Sequence, residues 1–188
     1  MLVVNLFGAP CSGKSTAASY IFSKLKINGI NAELVTEFVK DMVYDKNNKA
    51  INNQLYLLGN QYYKMDKLRN EVDVIVTDSP LPLNIIYNKN YNIFGDCFDD
   101  LVINCFKSFY NLSYLLKPVH SYKTDGRIHT QEESNDLYEE IKYLCYNKIP
   151  STIPKRYEIV RTVDSCISNY DIIVTDVINT HIELSKNI

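Results

Sequence analysis

The sequence predicts an α/β protein, a doubly wound parallel sheet with helices on both of its faces. Strands and helices alternate along the 188 residues, and the strands are short continuous apolar runs typical of strands buried on both sides. A third observation is a glycine-containing loop at residues 8–16 that separates the first strand from the first helix. At this length we expect one core and a single domain over residues 1–188.

The loop after the first strand has the phosphate-binding pattern G-x-x-x-x-G-K-[ST], the P-loop. An apolar run at residues 2–7 precedes it, and a helix is predicted from Ser15 to about Asn28, where Gly29 supplies a stop. The segment is Gly8, Ala9, Pro10, Cys11, Ser12, Gly13, Lys14, Ser15 and Thr16. Strand, glycine loop and helix occur in the order that such a site requires, so we predict nucleotide binding here.

Each part of this loop has a chemical reason. Gly8 and Gly13 let the backbone approach a phosphate where a Cβ atom would collide, and consecutive backbone N–H groups donate to the phosphate oxygens. Lys14 would place its charge at the β- and γ-phosphates, and the Ser15 hydroxyl would bind Mg²⁺. The helix that follows directs the positive end of its dipole at the same anion.

Two acidic residues follow predicted strands at the edge of the sheet where the P-loop lies. Residues 31–36 predict the second strand, which leads to Glu37, and residues 72–78 predict the third, which ends at Asp78. Ligands of open parallel sheets bind at the carboxyl ends of the strands, so Asp78 is predicted as the carboxylate on the magnesium side. A cap of the turn before Pro80 is the alternative for Asp78.

A second string, residues 171–176, closely resembles the third strand and ends in Asp176. The apolar residues from Ile167 to Leu184 recur at helical spacing, so we predict a terminal helix there. Asp176 is therefore not assigned to the site.

The remaining segments are assigned from hydrophobic periodicity, turn residues and caps. We predict helices over residues 38–44, 50–70 and 96–110, and one from a capping box at residues 130–133 to a point before Pro150. Loops are predicted over residues 45–49 and over residues 81–91, the second with room for one helical turn. Strands are predicted over residues 112–116 and 157–160. Residues 117–129 are polar and lack periodicity, which predicts a mobile lid.

Charge and cysteine content narrow the class of protein. The net charge of −2 does not fit a protein that binds many DNA phosphates along a duplex, and it favours a small anionic ligand. The five cysteines are odd in number and include no C-x-x-C pair, which is typical of reduced thiols. The first apolar run is too short for a membrane span or a signal peptide, so we expect a cytoplasmic protein, in the host cytoplasm if it is phage-encoded.

On these motifs the chain resembles the P-loop kinases of nucleosides and nucleotides, especially the nicotinamide riboside kinase-like group with its phage-encoded members. The P-loop, residues 36–41, residues 76–80 and residues 125–127 carry the resemblance. It implies the P-loop NTPase fold, with a five-stranded parallel sheet in the order 2-3-1-4-5, ATP with Mg²⁺ as the donor, and an acceptor between the second-strand loop and the lid. Ser79 stands where the thymidylate-kinase pattern has arginine, which argues against an ordinary thymidylate kinase.

The candidate catalytic residues are Lys14, Glu37, Asp78 and Arg127, and the candidate metal ligands are Ser15 and Asp78. Glu37 would orient an acceptor hydroxyl and take its proton, and Arg127 would reach over the γ-phosphate. A surface glutamate and a solvated loop arginine are the alternatives for these two residues.

The acceptor is the least determined part of the site. A phosphate acceptor would favour arginine near the second strand, and residues 33–41 contain none. We therefore favour a hydroxyl acceptor, although Lys40 keeps a phosphate acceptor open. Gln61 would present an amide to a base edge, or else be solvated on a helix surface.

Three functions from different classes stay open. The favoured one is a kinase of a nucleoside or nucleotide; the second is a phage kinase acting on a hydroxymethylated base such as 5-hydroxymethyluracil in DNA; the third is a nucleotide-dependent switch with no acceptor. A DNA kinase would need a basic channel. The sequence leaves oligomeric state undetermined, and a homo-oligomer stays open.

Overall fold

In the computed structural model, five parallel strands form one sheet within the described residues, which are 1–39, 42, 48–89, 94–119, 130–152 and 160–186. The strands are β1 (Leu2–Phe7), β2 (Ala32–Val35), β3 (Val74–Thr77), β4 (Tyr110–Lys117) and β5 (Val160–Asp164). They lie in the order β2-β3-β1-β4-β5, so the predicted order is confirmed.

Helices follow the strands in the described ranges. They are α1 (Lys14–Ile27), α2 (Asn48–Ile51), α3 (Gln54–Asp66), α4 (Leu83–Asn88), α5 (Asp96–Lys107), α6 (Gln131–Tyr143), α7 (Ile149–Thr152) and α8 (Ile167–Ser185), and a π-helical turn (Leu144–Lys148) joins α6 to α7. No helix in these ranges is both long and apolar enough to cross a membrane.

Two apolar clusters place helices on both faces of the sheet, as predicted. One contains Leu58 of α3, Val102 of α5 and Ile141 of α6, and the other contains Ile21 of α1 and Ile173 of α8. Because β1 lies between these layers, all six of its residues are buried, which explains why five of them are apolar, with Asn5 the exception.

The ends of several helices follow their predicted capping residues. Asn28 caps α1, and Gly29 has φ of 79°, a left-handed conformation that glycine adopts without a Cβ penalty. The capping box before α6 is confirmed: the Thr130 hydroxyl accepts from the Glu133 N–H, and the Glu133 carboxylate accepts from the Thr130 N–H. The terminal helix is also confirmed as α8.

The helix predicted over residues 50–70 is wrong as a single helix. It is divided into α2 and α3, because the Asn53 side chain accepts from the Tyr56 N–H and begins a new helix. On α3, Leu55 is 44% exposed, whereas Leu57 is buried. Residues 48–49, predicted as loop, begin α2.

The loop predicted over residues 81–91 contains α4, a six-residue helix that is longer than the single helical turn expected there. Pro82 precedes the first residue of α4, where its missing N–H has no helical partner to lose. Leu81, Leu83 and Ile86 are buried in the first cluster, so packing on the sheet stabilises this short helix.

The helix predicted to end before Pro150 instead continues to Thr152. The Ile149 N–H donates to the Leu144 carbonyl, one residue further back than in an α-helix. This wider π turn accommodates a proline ring that would collide with a carbonyl in a regular helix.

Other boundaries differ as well. The strand predicted over residues 157–160 overlaps β5 at Val160, and β5 continues to Asp164, while residues 157–159 lie outside the described residues. The helix predicted to Tyr110 ends at Lys107, and Tyr110 already belongs to β4. Most of the helix predicted over residues 38–44, and lid residues 120–129 with Arg127, lie outside the described residues.

Candidate nucleotide-binding site

The P-loop leaves the carboxyl end of β1 and leads into α1, as the motif requires. A Cβ atom on Gly8 would lie 2.3 Å from the Ser12 Oγ, and a Cβ atom on Gly13 would lie 2.3 Å from the Ser165 Oγ. Gly13 also has φ of 82°. Both positions therefore require glycine. At Gly8 a Cβ atom would collide with the P-loop itself, and at Gly13 it would collide with the segment after β5.

The loop backbone has the form of an anion-binding site. Cys11 has φ of 64°, a left-handed conformation that is uncommon outside glycine and that allows neighbouring N–H groups to converge. Ser12 is 1% exposed, and its Oγ has no hydrogen-bond partner among the described residues. A buried hydroxyl of this kind fits a site that a phosphate completes.

The Lys14 side chain turns back over the start of the P-loop. Its Nζ donates to the Gly8 carbonyl at 2.7 Å and to the Ala9 carbonyl at 3.0 Å. Ser15 and Thr16 lie in the exposed first turn of α1. The lysine charge and the N-terminus of a 14-residue helix thus meet at one place.

A backbone-to-side-chain hydrogen bond joins the two strand-end acidic residues predicted from the sequence. Asp78 directly follows β3 and is 3% exposed, and its Oδ1 accepts from the Glu37 backbone N–H at 3.0 Å. Thr77, the residue before Asp78, pairs with Asn5 of β1, three residues before Gly8. Both acidic residues therefore stand at the edge of the sheet that carries the P-loop.

A buried amide lies next to this pair. Gln61 of α3 is 3% exposed, and its Nε2 donates to the Thr77 Oγ1 and to the Ser79 carbonyl, each at 3.3 Å. Its Oε1 has no partner within the described part of the chain. The interpretation of Gln61 as a solvated surface residue is therefore wrong, because its side chain turns from α3 toward the end of β3.

Tyr87 of α4 adds a hydroxyl near Glu37. Burial, and secondarily the Glu37 carboxylate, raise the pKa of Tyr87 from 10.0 to about 12. Tyr87 thus keeps its proton at neutral pH and can donate a hydrogen bond near the carboxylate. Sequence patterns do not point to Tyr87, because its segment has the composition of a loop.

Two serines distant in the sequence support the P-loop. The Ser165 Oγ, which faces Gly13, lies 2.6 Å from the Tyr170 hydroxyl of α8. The Ser134 hydroxyl of α6 donates to the Pro10 carbonyl at 2.9 Å. Sequence patterns could not find these contacts, because each depends on how distant elements pack.

Asp176 lies in α8 and has a structural role. Its carboxylate accepts from the Tyr114 hydroxyl at 3.1 Å and from the Arg161 guanidinium. Burial, and secondarily this carboxylate, raise the pKa of Tyr114. Leaving Asp176 out of the site therefore agrees with its surroundings.

The residues present fit a nucleotide with Mg²⁺. The described residues contain no group of three or more His, Cys, Asp or Glu side chains placed to hold a metal ion by themselves. Mg²⁺ at a nucleotide usually takes only one or two protein ligands besides phosphate oxygens and water. Ser15 and Asp78 are a set of that kind.

The fold and the loop define the class of the protein, a P-loop nucleotide-binding domain. Residues 3–152 match the model of the family described as AAA domain. This span is more than half of the chain, and the chain therefore belongs to the AAA domain family. No curated protein sequence matches it at a significant level.

Two solved structures of deoxyadenosine kinase from M. mycoides are similar to this chain. The structure with bound dATP is 18% identical in sequence to this chain and has a TM-score of 0.57. The match covers 94% of this chain and 99% of the deoxyadenosine kinase chain. The second structure has the products dCMP and a flexible dCDP bound, is 16% identical in sequence to this chain and has a TM-score of 0.53. The match covers 95% of this chain and 99% of the deoxyadenosine kinase chain. At these identities the similarity establishes the fold.

Proposed function

We propose that this chain is an ATP-dependent, Mg²⁺-requiring kinase that transfers the γ-phosphate to a hydroxyl of a nucleoside or nucleotide. The observation that carries the proposal is the pair formed by Glu37 and Asp78 at the edge of the sheet that bears the P-loop. One carboxylate would serve the metal and the other the acceptor, a division that phosphoryl transfer to a hydroxyl requires.

In the proposed reaction the acceptor oxygen forms a bond to the γ-phosphorus while the bond between that phosphorus and the β–γ bridging oxygen breaks. Glu37 holds the acceptor hydroxyl and takes its proton late in the transfer. Lys14 and the P-loop N–H groups hold the β- and γ-phosphates and stabilise the charge on the transferred group. Mg²⁺, when bound by Ser15 and Asp78, would neutralise charge on the same phosphates.

The proposal assigns the acceptor to the ends of β2 and β3, with Glu37, Tyr87 and Gln61 as the residues that would contact it. Tyr87 stays protonated and has its hydroxyl near Glu37, which suits it to a sugar hydroxyl. Gln61 is buried, and its Oε1 has no hydrogen-bond partner among the described residues, which suits it to a donor on a base edge. The similarity to deoxyadenosine kinase structures supports a nucleoside as acceptor, and the nicotinamide riboside kinase-like group stays within the proposal. Arg127 is proposed as the lid arginine.

The test is a panel of acceptors with ATP or GTP as donor. Ribonucleosides, deoxynucleosides, nucleoside monophosphates, nicotinamide riboside and DNA containing 5-hydroxymethyluracil are each incubated with the protein, and the phosphorylated products are measured. We expect transfer to a free nucleoside or nucleotide. Transfer only to the modified DNA would replace this proposal with the DNA kinase, and hydrolysis unaffected by every acceptor would replace it with the switch.

A further inference from the structure

The first turn of α6 contacts the P-loop through a partly buried hydrogen bond. The Ser134 hydroxyl donates to the Pro10 carbonyl at 2.9 Å, and Ser134 is 5% exposed. The Ser134 N–H donates to the Thr130 carbonyl at 3.0 Å, a main-chain bond of the first turn of α6 that does not involve the Thr130 side chain. The hydroxyl is therefore presented by a well-defined helix start and not by a loose loop.

This bond determines the orientation of one peptide group. In a trans peptide the C=O and the N–H point in opposite directions. Because the Pro10 carbonyl points at α6, the Cys11 N–H points away from α6. The proline ring holds φ of Pro10 near about −65°, and Cys11 has φ of 64°. Opposite signs of φ at two successive residues are a feature of backbone nests, in which N–H groups converge on an anion.

The observed orientation is not the one that Cys11 prefers by itself. Rotating the Pro10–Cys11 peptide by half a turn would return Cys11 to negative φ and would relieve a conformation that is costly for a residue with a Cβ. The same rotation would point the Pro10 carbonyl oxygen where the N–H now points. A carbonyl oxygen repels phosphate, so the rotated loop would bind nucleotide more weakly.

We propose that Ser134 is a positioning residue for nucleotide binding: it holds the Pro10–Cys11 peptide in the orientation that directs the Cys11 N–H at the bound phosphates. The inference rests on phosphate binding by the P-loop and is independent of the acceptor. It also couples α6, the helix that follows the predicted lid, to the loop that binds the donor.

The test measures binding in the absence of any acceptor. Calorimetry gives the affinity of wild type, Ser134→Ala and Ser134→Cys for MgATP, MgGTP and inorganic tripolyphosphate. We expect both variants to lose affinity about three- to tenfold, the range for one hydrogen bond, and to lose it equally for all three probes. Cysteine is a poor donor that preserves side-chain volume, so it replaces the alanine variant if that one fails to fold.

Thr130→Ala is the matched control. It breaks the capping box of the same helix turn and leaves the Ser134 hydroxyl in place. We expect it to lower the melting temperature while the affinity for tripolyphosphate stays within about twofold. An equal loss of affinity in Thr130→Ala and Ser134→Ala would overturn the proposal, because α6 would then act only through its stability.

A double-mutant cycle with Cys11→Gly separates positioning from packing. Glycine has no preference against positive φ, so the rotated peptide gains no advantage from relief of strain. The penalty of Ser134→Ala should therefore be smaller in the Cys11→Gly background. An unchanged penalty, or wild-type affinity in Ser134→Ala, would overturn the inference. Triphosphate binding without transfer to any acceptor would overturn the proposed kinase and leave this inference in place.

Discussion

The backbone N–H of Glu37 donates to the Asp78 Oδ1 over 3.0 Å, so the ends of β2 and β3 are joined by a carboxylate. These strands also pair in register, with Val35 opposite Thr77. The bond uses the main chain of Glu37 and so does not depend on its side chain. The two acidic residues can therefore be changed separately, and each change tests a different proposed role.

Glu37→Gln should lower kcat at least tenfold and leave the affinity for the donor nucleotide unchanged. The amide keeps the size and the backbone hydrogen bond of Glu37 but cannot accept the acceptor proton, and general-base catalysis contributes about 10²–10⁴-fold. Steady-state kinetics with the best acceptor gives kcat, and calorimetry gives the affinity. Glu33→Gln, an exposed position on β2, is the control. An unchanged kcat would show that Glu37 takes no part in the transfer. Weaker binding of the donor nucleotide would show that Glu37 contacts the donor and not the acceptor.

Asp78→Asn should raise the Mg²⁺ concentration needed for half-maximal activity. The asparagine oxygen can still accept from the Glu37 N–H, but the charge that would attract the cation is lost. The measurement is a Mg²⁺ titration of activity, with Asp73→Asn at an exposed position before β3 as the control. An unchanged Mg²⁺ requirement would show that Asp78 serves only to join the two strands.

The sequence was sufficient for the sheet and for the P-loop because both are encoded locally. Apolar runs predicted the strands, and Gly8, Gly13 and Lys14 marked the loop by their spacing. The strand ends also placed Glu37 and Asp78 at one edge of the sheet, although their hydrogen bond required the register of β2 against β3. Their proposed roles stay predictions. Arg127 stays a prediction, since it lies outside the described residues.

The contacts that complete the site could not be predicted, because they join distant segments. Ser134 and Pro10 are 124 residues apart, and nothing near either residue indicates their hydrogen bond. Gln61 has the spacing of a helix-surface residue, and only the packing of α3 on the sheet turns it toward Ser79. The segment of α4 contains prolines and asparagines typical of loops, and burial of Leu83 and Ile86 overrides that local preference.

Lys14→Ala should abolish transfer and weaken triphosphate binding by about a hundredfold or more. The variant would lose at least two charge-assisted hydrogen bonds to the phosphates, worth about 1.5–3 kcal/mol each. Lys26→Ala, at an exposed position on the same helix, is the control and should behave as wild type. Transfer assays and calorimetry on both variants give the comparison. Near-normal activity in Lys14→Ala would contradict the assignment of the P-loop as the donor site.

The stability of the fold should fall in alkaline solution because of Cys145. Burial raises the pKa of this thiol from 9.0 to about 12. The folded state therefore keeps the proton between these values while the unfolded state releases it, so the free energy of unfolding falls as pH rises from 9 toward 12. The contribution is at most about 1.4 kcal/mol per pH unit for one proton.

Cys145→Ala isolates this effect from the other titrating groups. The variant loses stability at every pH because it leaves a small cavity in the first cluster. Its free energy of unfolding should nevertheless decline less steeply above pH 9 than that of wild type, as measured by urea unfolding at several pH values. Parallel curves for the two proteins would contradict the assignment.

A comparison of Gly13→Ala in the P-loop with Gly29→Ala after α1 separates the cost of backbone strain from the cost of a side-chain collision. Both glycines have similar positive φ, 82° and 79°, so alanine should cost about 1–2 kcal/mol at either position through the left-handed conformation alone. A Cβ atom on Gly29 would have nothing within 4 Å, whereas one on Gly13 would lie 2.3 Å from the Ser165 Oγ. Gly13→Ala should therefore destabilise the fold more than Gly29→Ala in urea unfolding. It should also weaken tripolyphosphate binding, which Gly29→Ala leaves intact.

Adding Ser165→Gly to Gly13→Ala tests the cause of this difference. The second substitution removes the hydroxyl that the new methyl group would strike, at the expense of its bond to the Tyr170 hydroxyl. Part of the tripolyphosphate affinity should return, because the loop no longer has to move away from the segment after β5, while the strain at residue 13 persists. If the double variant binds no better than Gly13→Ala, the loss comes from backbone conformation alone, and the contact with Ser165 does not shape the phosphate site.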